Sequence, residues 1–152
     1  MREIRLKTRS EAQTIKFGQL LAEQLVVKDV VALFGDLGSG KTVLVKGIGK
    51  GLGIKEEITS PSFTIISEYT GRIPLFHFDL YRIENVAEFF DLDYENYFFG
   101  NGVSVIEWAD KIEPYLPDMR IDIKIKRIDR NRREILLITH KRKLDLQMPS
   151  LD

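Results

Sequence analysis

The sequence predicts an α/β domain whose central sheet is mixed, mainly parallel and sandwiched between helices, with hairpins added to it. Three observations carry this. A short β-branched apolar run, "DVVALF", leads straight into a glycine-rich turn. A helical pattern follows that turn, as in a parallel α/β unit. Two later pairs of strand-like runs, each separated by a short polar turn, read as hairpins and so make the sheet mixed.

Along the chain, "EIRLKT" alternates apolar and polar residues and reads as a first strand. Ser10 and Gln13 form a capping-box pattern, and Ile15, Leu21 and Leu25 recur at helical spacing. "DVVALF" is apolar throughout, as expected of a strand covered on both faces. "KTVLVKGIGKGLG" reads as a helix ended by Gly51 or Gly53. "TSPSFT" is a loop, because Pro61 disfavours helix at Ser60. "FTIISEYT" and "IPLFHFDLY" form the first hairpin around Gly71-Arg72. "NVAEFFDLDYENYF" is an acidic helical or irregular stretch with Asn85 as a cap, and "VSVIEW" is a short buried strand. "RIDIKIKRI" and "REILLIT" form the second hairpin around "DRNR". The last dozen residues are expected to be loosely ordered.

The chain has 152 residues, which suits a single domain over 1–152 with a real core. There is no cysteine, which excludes disulfides, thiolate metal sites and cysteine nucleophiles. Formal net charge is zero, so any nucleic-acid contact must come from a local patch. No apolar run approaches the ~20 residues of a membrane span, and "MREIRLKTRSE" has no apolar leader core. A cytoplasmic protein without membrane contact is expected.

Gly35-Asp36-Leu37-Gly38-Ser39-Gly40-Lys41-Thr42 matches G-x-x-x-x-G-K-[ST] in full. Glycines turn successive N–H groups inward and let phosphate oxygens approach. The helix starting near Lys41 adds the positive end of its dipole. Lys41 can reach the β- and γ-phosphates, and the Thr42 hydroxyl can bind Mg²⁺. A random chain of this length would contain the pattern on the order of half a percent of the time. The expected fold is therefore P-loop NTPase-like, in three layers, with a nucleotide held by Gly35, Asp36, Leu37, Gly38, Ser39, Gly40, Lys41, Thr42 and Val43.

Such a loop needs a carboxylate at a neighbouring strand end. Asp79 ends "LFHFD" and Glu107 ends "VSVIE". Glu107 closes the cleaner buried strand and is the preferred metal-side residue. His77 should share the strand face of Asp79, more as a structural than a catalytic group. Trp108 fits the core better than a base-stacking role. Ser60, Ser62 and Thr64 make a hydroxyl-rich loop able to sense a γ-phosphate.

"GDLGSGKT", "TSPSFT", "HFDLYR" and "IEWADKIEPYLP", in this order and spacing, resemble the TsaE (YjeE) family, over roughly residues 3–140. "SPSFT" followed by "HFDLYR" is the more specific part. The resemblance implies an ATPase of bacterial tRNA threonylcarbamoyladenosine synthesis, acting with TsaB and TsaD and touching tRNA indirectly or weakly. It implies catalytic roles for Lys41, Asp79 and Glu107, and Mg²⁺ held by Thr42 and Glu107. It places Ser10-Glu11 beside the nucleotide base and Arg133 beside the nucleotide. One departure is Ala109, where many members have proline after "IEW".

Basic residues outnumber acidic ones from Arg120 to Lys143, and the reverse holds from Glu84 to Glu95. These are solvated faces or partner surfaces. A small-molecule kinase using "KRIDRNRRE" as a lid, and a module that binds nucleotide without turnover, are the competing readings. A GTPase is disfavoured, because no N-K-x-D pattern is present.

Overall fold

The computed structural model describes residues 1–60 and 64–145. Its strands are β1 (Arg2–Thr8), β2 (Val30–Phe34), β3 (Ile66–Tyr69), β4 (Leu75–Asp79), β5 (Val103–Glu107), β6 (Arg120–Arg127) and β7 (Arg133–His140). Its helices are α1 (Glu11–Ala22), α2 (Lys41–Gly51), α3 (Val86–Phe90) and α4 (Tyr94–Phe98), with a 3₁₀ segment at Ala109–Tyr115. Ser62 of the hydroxyl-rich loop and the end of the tail, 146–152, lie outside the described residues.

The strands form one sheet in the order β1-β7-β6-β2-β5-β4-β3. β6, β2, β5 and β4 are mutually parallel. β3 and β7 run against them, and β1 pairs antiparallel with β7, so β1 points the same way as the central four. The sheet is mixed and mainly parallel, with both expected hairpins in place. Parallel ladders need crossovers, and α2 supplies the one that leaves β2.

Alternation along each strand sorts the apolar residues into two layers. Val31, Leu33, Val105 and Ile123 pack under Phe17, Leu21, Leu44 and Ile48 of α1 and α2. Ala32, Phe78 and Ile106 pack on the other face under Phe89, Phe98 and Ile112. β2 and β5 are apolar on both faces because both faces are covered. This confirms the three layers.

α2 carries Gly47, Gly49 and Gly51, each about 1 kcal/mol worse than alanine in a helix interior. It forms because α1 lies against it. A Cβ on Gly18 would sit 2.8 Å from the Leu44 carbonyl oxygen, and one on Gly47 would collide with the Ile15 backbone. The glycines sacrifice propensity for close helix contact.

Ser10 caps α1, its Oγ accepting from the Gln13 amide at 3.1 Å. The acidic stretch resolves into α3 and α4, with Asn85 and Glu88 forming a capping box. At the second hairpin, Asp129 accepts from the Arg132 and Asn131 amides and from the Arg132 side chain. Those bonds hold its carboxyl down to about 2.

The expectation of a loose tail is corrected for residues 141–145. Arg142 Nε donates to buried Asp29 at 2.8 Å and its Nη2 to the Gln24 carbonyl at 2.8 Å, while Leu144 enters the core. A buried carboxylate needs such a partner. The 3₁₀ segment after β5 was not anticipated. Among the described residues, no helix is long and apolar enough to cross a membrane.

Candidate functional site

The cleft lies where β2 hands over to α2, at the C-terminal ends of the parallel strands. Ligands of open α/β sheets bind at that end. Gly38 and Gly40 have φ values of +80° and +103°, a region that residues with a Cβ rarely adopt. Gly40 is the N-cap of α2 and offers no side-chain cap to its first amides. Those amides and the helix dipole face the cleft. Ser39 is buried, and its Oγ has no hydrogen-bond partner among the described residues.

Leu37, Gly38, Ser39, Gly40, Lys41, Thr42 and Val43 all line the cleft, whose volume is about 760 Å³. Gly35 and Asp36 stand behind it. Their carbonyls accept from Lys41 Nζ, the Asp36 bond at 3.0 Å. Lys41 also lies 4.0 Å from the centroid of the Trp108 ring, a cation–π contact. Burial pushes the Lys41 ammonium pKa below its ordinary value, against the opposing pull of Glu107, Asp110, Asp36 and Asp79.

Both strand-end carboxylates come to the same place. Asp79 and Glu107 are direct partners in the β4–β5 register. Glu107 Oε1 accepts from Thr42 Oγ1 at 2.9 Å. Ser60 Oγ lies 3.5 Å from Thr42 Oγ1 and donates to Asp79 Oδ2 at 3.2 Å. The result is a string of oxygens, Glu107–Thr42–Ser60–Asp79, along one wall. Asp79 Oδ1 also accepts from the Tyr81 amide at 3.1 Å.

His77 shares the Asp79 face, as expected, and its Nε2 lies 2.6 Å from Glu107 Oε2. His77 is fully buried and Glu107 is 3% exposed. The histidine therefore holds the carboxylate from behind, leaving the other oxygen toward Thr42.

These residues fit a nucleotide with Mg²⁺. The unpartnered Ser39 hydroxyl, the uncapped amides and the buried lysine suit phosphate oxygens. The oxygen-only wall suits a hard cation. Among the described residues, no cluster of three or more His, Cys, Asp or Glu is placed to hold a metal.

Arg133 is at the loop. Its Nε donates to the Ser39 carbonyl at 2.7 Å, and it lines the cleft. Glu11 is exposed at the start of α1 and does not line the cleft. Trp108 packs against the core layer of Ala32, Phe78 and Ile106, as expected, and it also lines the cleft: it is half-buried, with φ +60°, its ring centroid 5.0 Å from that of Tyr81 and its plane tilted by 41°. A left-handed turn directly after Glu107 swings the ring from the strand into the cleft. Tyr81, Ile83 and Glu88 also line the cleft and carried no signal of their own. Only the position of Tyr81, two residues beyond Asp79, hinted at it.

A family profile described as "Threonylcarbamoyl adenosine biosynthesis protein TsaE" matches residues 8–135. A Bacillus subtilis protein named "tRNA threonylcarbamoyladenosine biosynthesis protein TsaE" is 44% identical over 136 residues, covering 89% of this chain and 85% of that protein. A Treponema pallidum protein of the same name is 40% identical over 132 residues, covering 87% of this chain and 98% of that one. The crystal structure of Bacillus subtilis YdiB superposes with a TM-score of 0.78 at 38% identity, over 91% of this chain and 86% of that chain.

Proposed function

Since this chain belongs to the TsaE family of threonylcarbamoyl adenosine biosynthesis proteins, we propose that it is a Mg²⁺-dependent ATPase that acts on a TsaB–TsaD pair during transfer of threonylcarbamoyl to adenosine of tRNA, in the cytoplasm. The observation that carries the ATPase reading is the bond from Thr42 Oγ1 to Glu107 Oε1 at 2.9 Å. It joins the last residue of the glycine loop to the carboxylate of a neighbouring strand, the pairing that Mg²⁺–nucleotide sites use.

Each residue has a task in this reading. The loop amides and Lys41 bind and orient the phosphates. Thr42 and Glu107 would hold Mg²⁺, which would supply charge stabilisation at the γ-phosphate. Lys41 leaves its own loop carbonyls and Trp108 to reach that charge. Asp79 and Ser60 orient the attacking water. Trp108, Tyr81 and Ile83 wall the cleft against bulk solvent. A partner that reads the Ser60–Thr64 loop would sense which nucleotide is bound.

The kinase reading has less support. Its supposed lid is a β-hairpin pinned by Asp129, with Arg133 committed to Ser39.

The test is phosphate release from ATP with Mg²⁺, alone and with purified TsaB and TsaD. The expected result is ADP and phosphate, faster with the partners and slowed by about 10²–10³ in Lys41→Ala. A phosphorylated nucleoside or sugar in place of free phosphate would overturn the assignment in favour of a kinase. Nucleotide binding without turnover under any condition would overturn it in favour of a binding module.

A further inference from the structure

Helices α1 and α2 cover one face of the sheet, but the far half of the other face carries no helix among the described residues. The register sets out two rows there. Lys7, Glu134 and Lys126 form one, and Arg5, Leu136, Lys124 and Phe34 form the next. Alternation puts these side chains on one face. Arg5, Lys7, Lys124 and Lys126 are all exposed. None of the four forms an ion pair among the described residues. Glu134 is the single carboxylate in the two rows, and Lys124 Nζ lies 5.9 Å from the Phe34 ring.

The patch reaches the nucleotide cleft. The cleft lies at the β6–β7 end of these strands, just beyond Lys126, where Arg127 and Arg130 are exposed and Arg132 is paired with Asp129. The Arg127 guanidinium would lie 3.9 Å from a Cβ on Gly38. A polyanion on this face would thus end beside the phosphate-binding loop.

Its composition argues for nucleic acid over protein. Protein interface cores are depleted of lysine and enriched in aromatic residues. Nucleic-acid interfaces are far more positively charged. Here four solvated cations surround a half-buried leucine and phenylalanine and one carboxylate, Glu134. Unpaired cations in rows suit phosphate neutralisation, and no base-reading motif is present. We propose that the open face of β1, β7 and β6 holds the phosphate backbone of a folded RNA. The choice of tRNA as that RNA rests on the family reading above, whereas the surface argument rests on charge and exposure.

The experiment measures binding of an unmodified tRNA transcript to the whole protein by fluorescence anisotropy, over a series of salt concentrations and without nucleotide. The expected result is affinity that falls linearly on a log–log salt plot. Lys124→Glu with Lys126→Glu should weaken binding at least about tenfold and flatten the slope by roughly one to two. Arg5→Gln and Lys7→Gln, milder changes that keep the strands intact by thermal melting, should each flatten it by about one. Wild-type protein that does not bind, or variants that bind with unchanged affinity and slope, would overturn the proposal. So would variants that keep RNA binding but lose association with TsaB and TsaD, because the face would then belong to a protein. Lys41→Ala is expected to bind RNA like wild type. Absent ATP turnover with the RNA effects intact would sink the ATPase reading and leave this surface standing.

Discussion

His77 Nε2 and Glu107 Oε2 lie 2.6 Å apart in the buried wall of the cleft, on neighbouring parallel strands. The ring thereby fixes which way the carboxylate faces. His77→Ala removes that hold and leaves a buried carboxylate oxygen unpartnered, a change worth about 1–3 kcal/mol. Mg²⁺ affinity of the nucleotide complex should fall by about 10–100-fold. His77→Gln, which keeps a donor, should recover part of it. A titration of Mg²⁺ against bound nucleotide checks this. Unchanged metal affinity in His77→Ala would reduce the contact to packing.

Glu107→Ala should impair hydrolysis more than it impairs nucleotide binding without metal. Asp79→Ala should lower turnover by a smaller factor, since Asp79 meets the site through Ser60 and not through Thr42. Single-turnover rates with calorimetric nucleotide affinities separate the two. If Glu107→Ala hydrolyses normally, the metal-side role passes to Asp79.

Lys41→Ala should cost about 10²–10³ in turnover, the usual loss for one preorganised donor to developing charge. Trp108 is the single tryptophan, and Lys41 lies 4.0 Å from its ring centroid. Its emission should therefore change when Mg²⁺–ATP draws the lysine away. The same titration on Lys41→Ala should show no such change. A wild-type spectrum indifferent to saturating nucleotide would mean that the lysine keeps its resting contact.

The lowered pKa of Lys41 has a stability consequence of definite sign. Between its folded value and the ordinary 10.5, the unfolded chain carries a proton that the folded chain lacks. Stability from this group therefore rises with pH across that window. The melting temperature of wild type minus that of Lys41→Met should climb as pH approaches 10.5. A flat difference would place the ammonium in an environment as favourable as water.

Gly47→Ala should destabilise the fold, although alanine is the better helix former by about 1 kcal/mol. The added methyl would collide with the Ile15 backbone, so the helices must part. Overpacking of this kind costs roughly 1–3 kcal/mol. Chemical denaturation measures it, and a stabilised variant would show that the helix pair has slack.

Much of the site was legible because it is local. The glycine loop, its lysine and its threonine are eight consecutive residues, so the turn they make and the groups it presents to the cleft follow from their spacing. Asp79 and Glu107 were legible as ends of apolar runs. Trp108 was legible as packing against the core, but an aromatic next to a buried strand gives no sign that a left-handed residue also turns it into the cleft. The start of the tail, residues 141–145, was not legible because Arg142 is one surface-like arginine among several, and its partner Asp29 lies 113 positions away.

The amino-acid pattern alone determined the layered α/β class, the glycine loop and the two candidate carboxylates, because each depends on near neighbours in the chain. Tertiary structure decided which carboxylate meets Thr42, that His77 stands behind it, and that Lys41 rests on Trp108. It also left one basic half-face open beside the loop. Those outcomes follow from the strand order β6-β2-β5-β4, which brings residues 42, 77 and 107 together. That order is set by how two apolar layers are buried at once, which no short stretch of sequence contains.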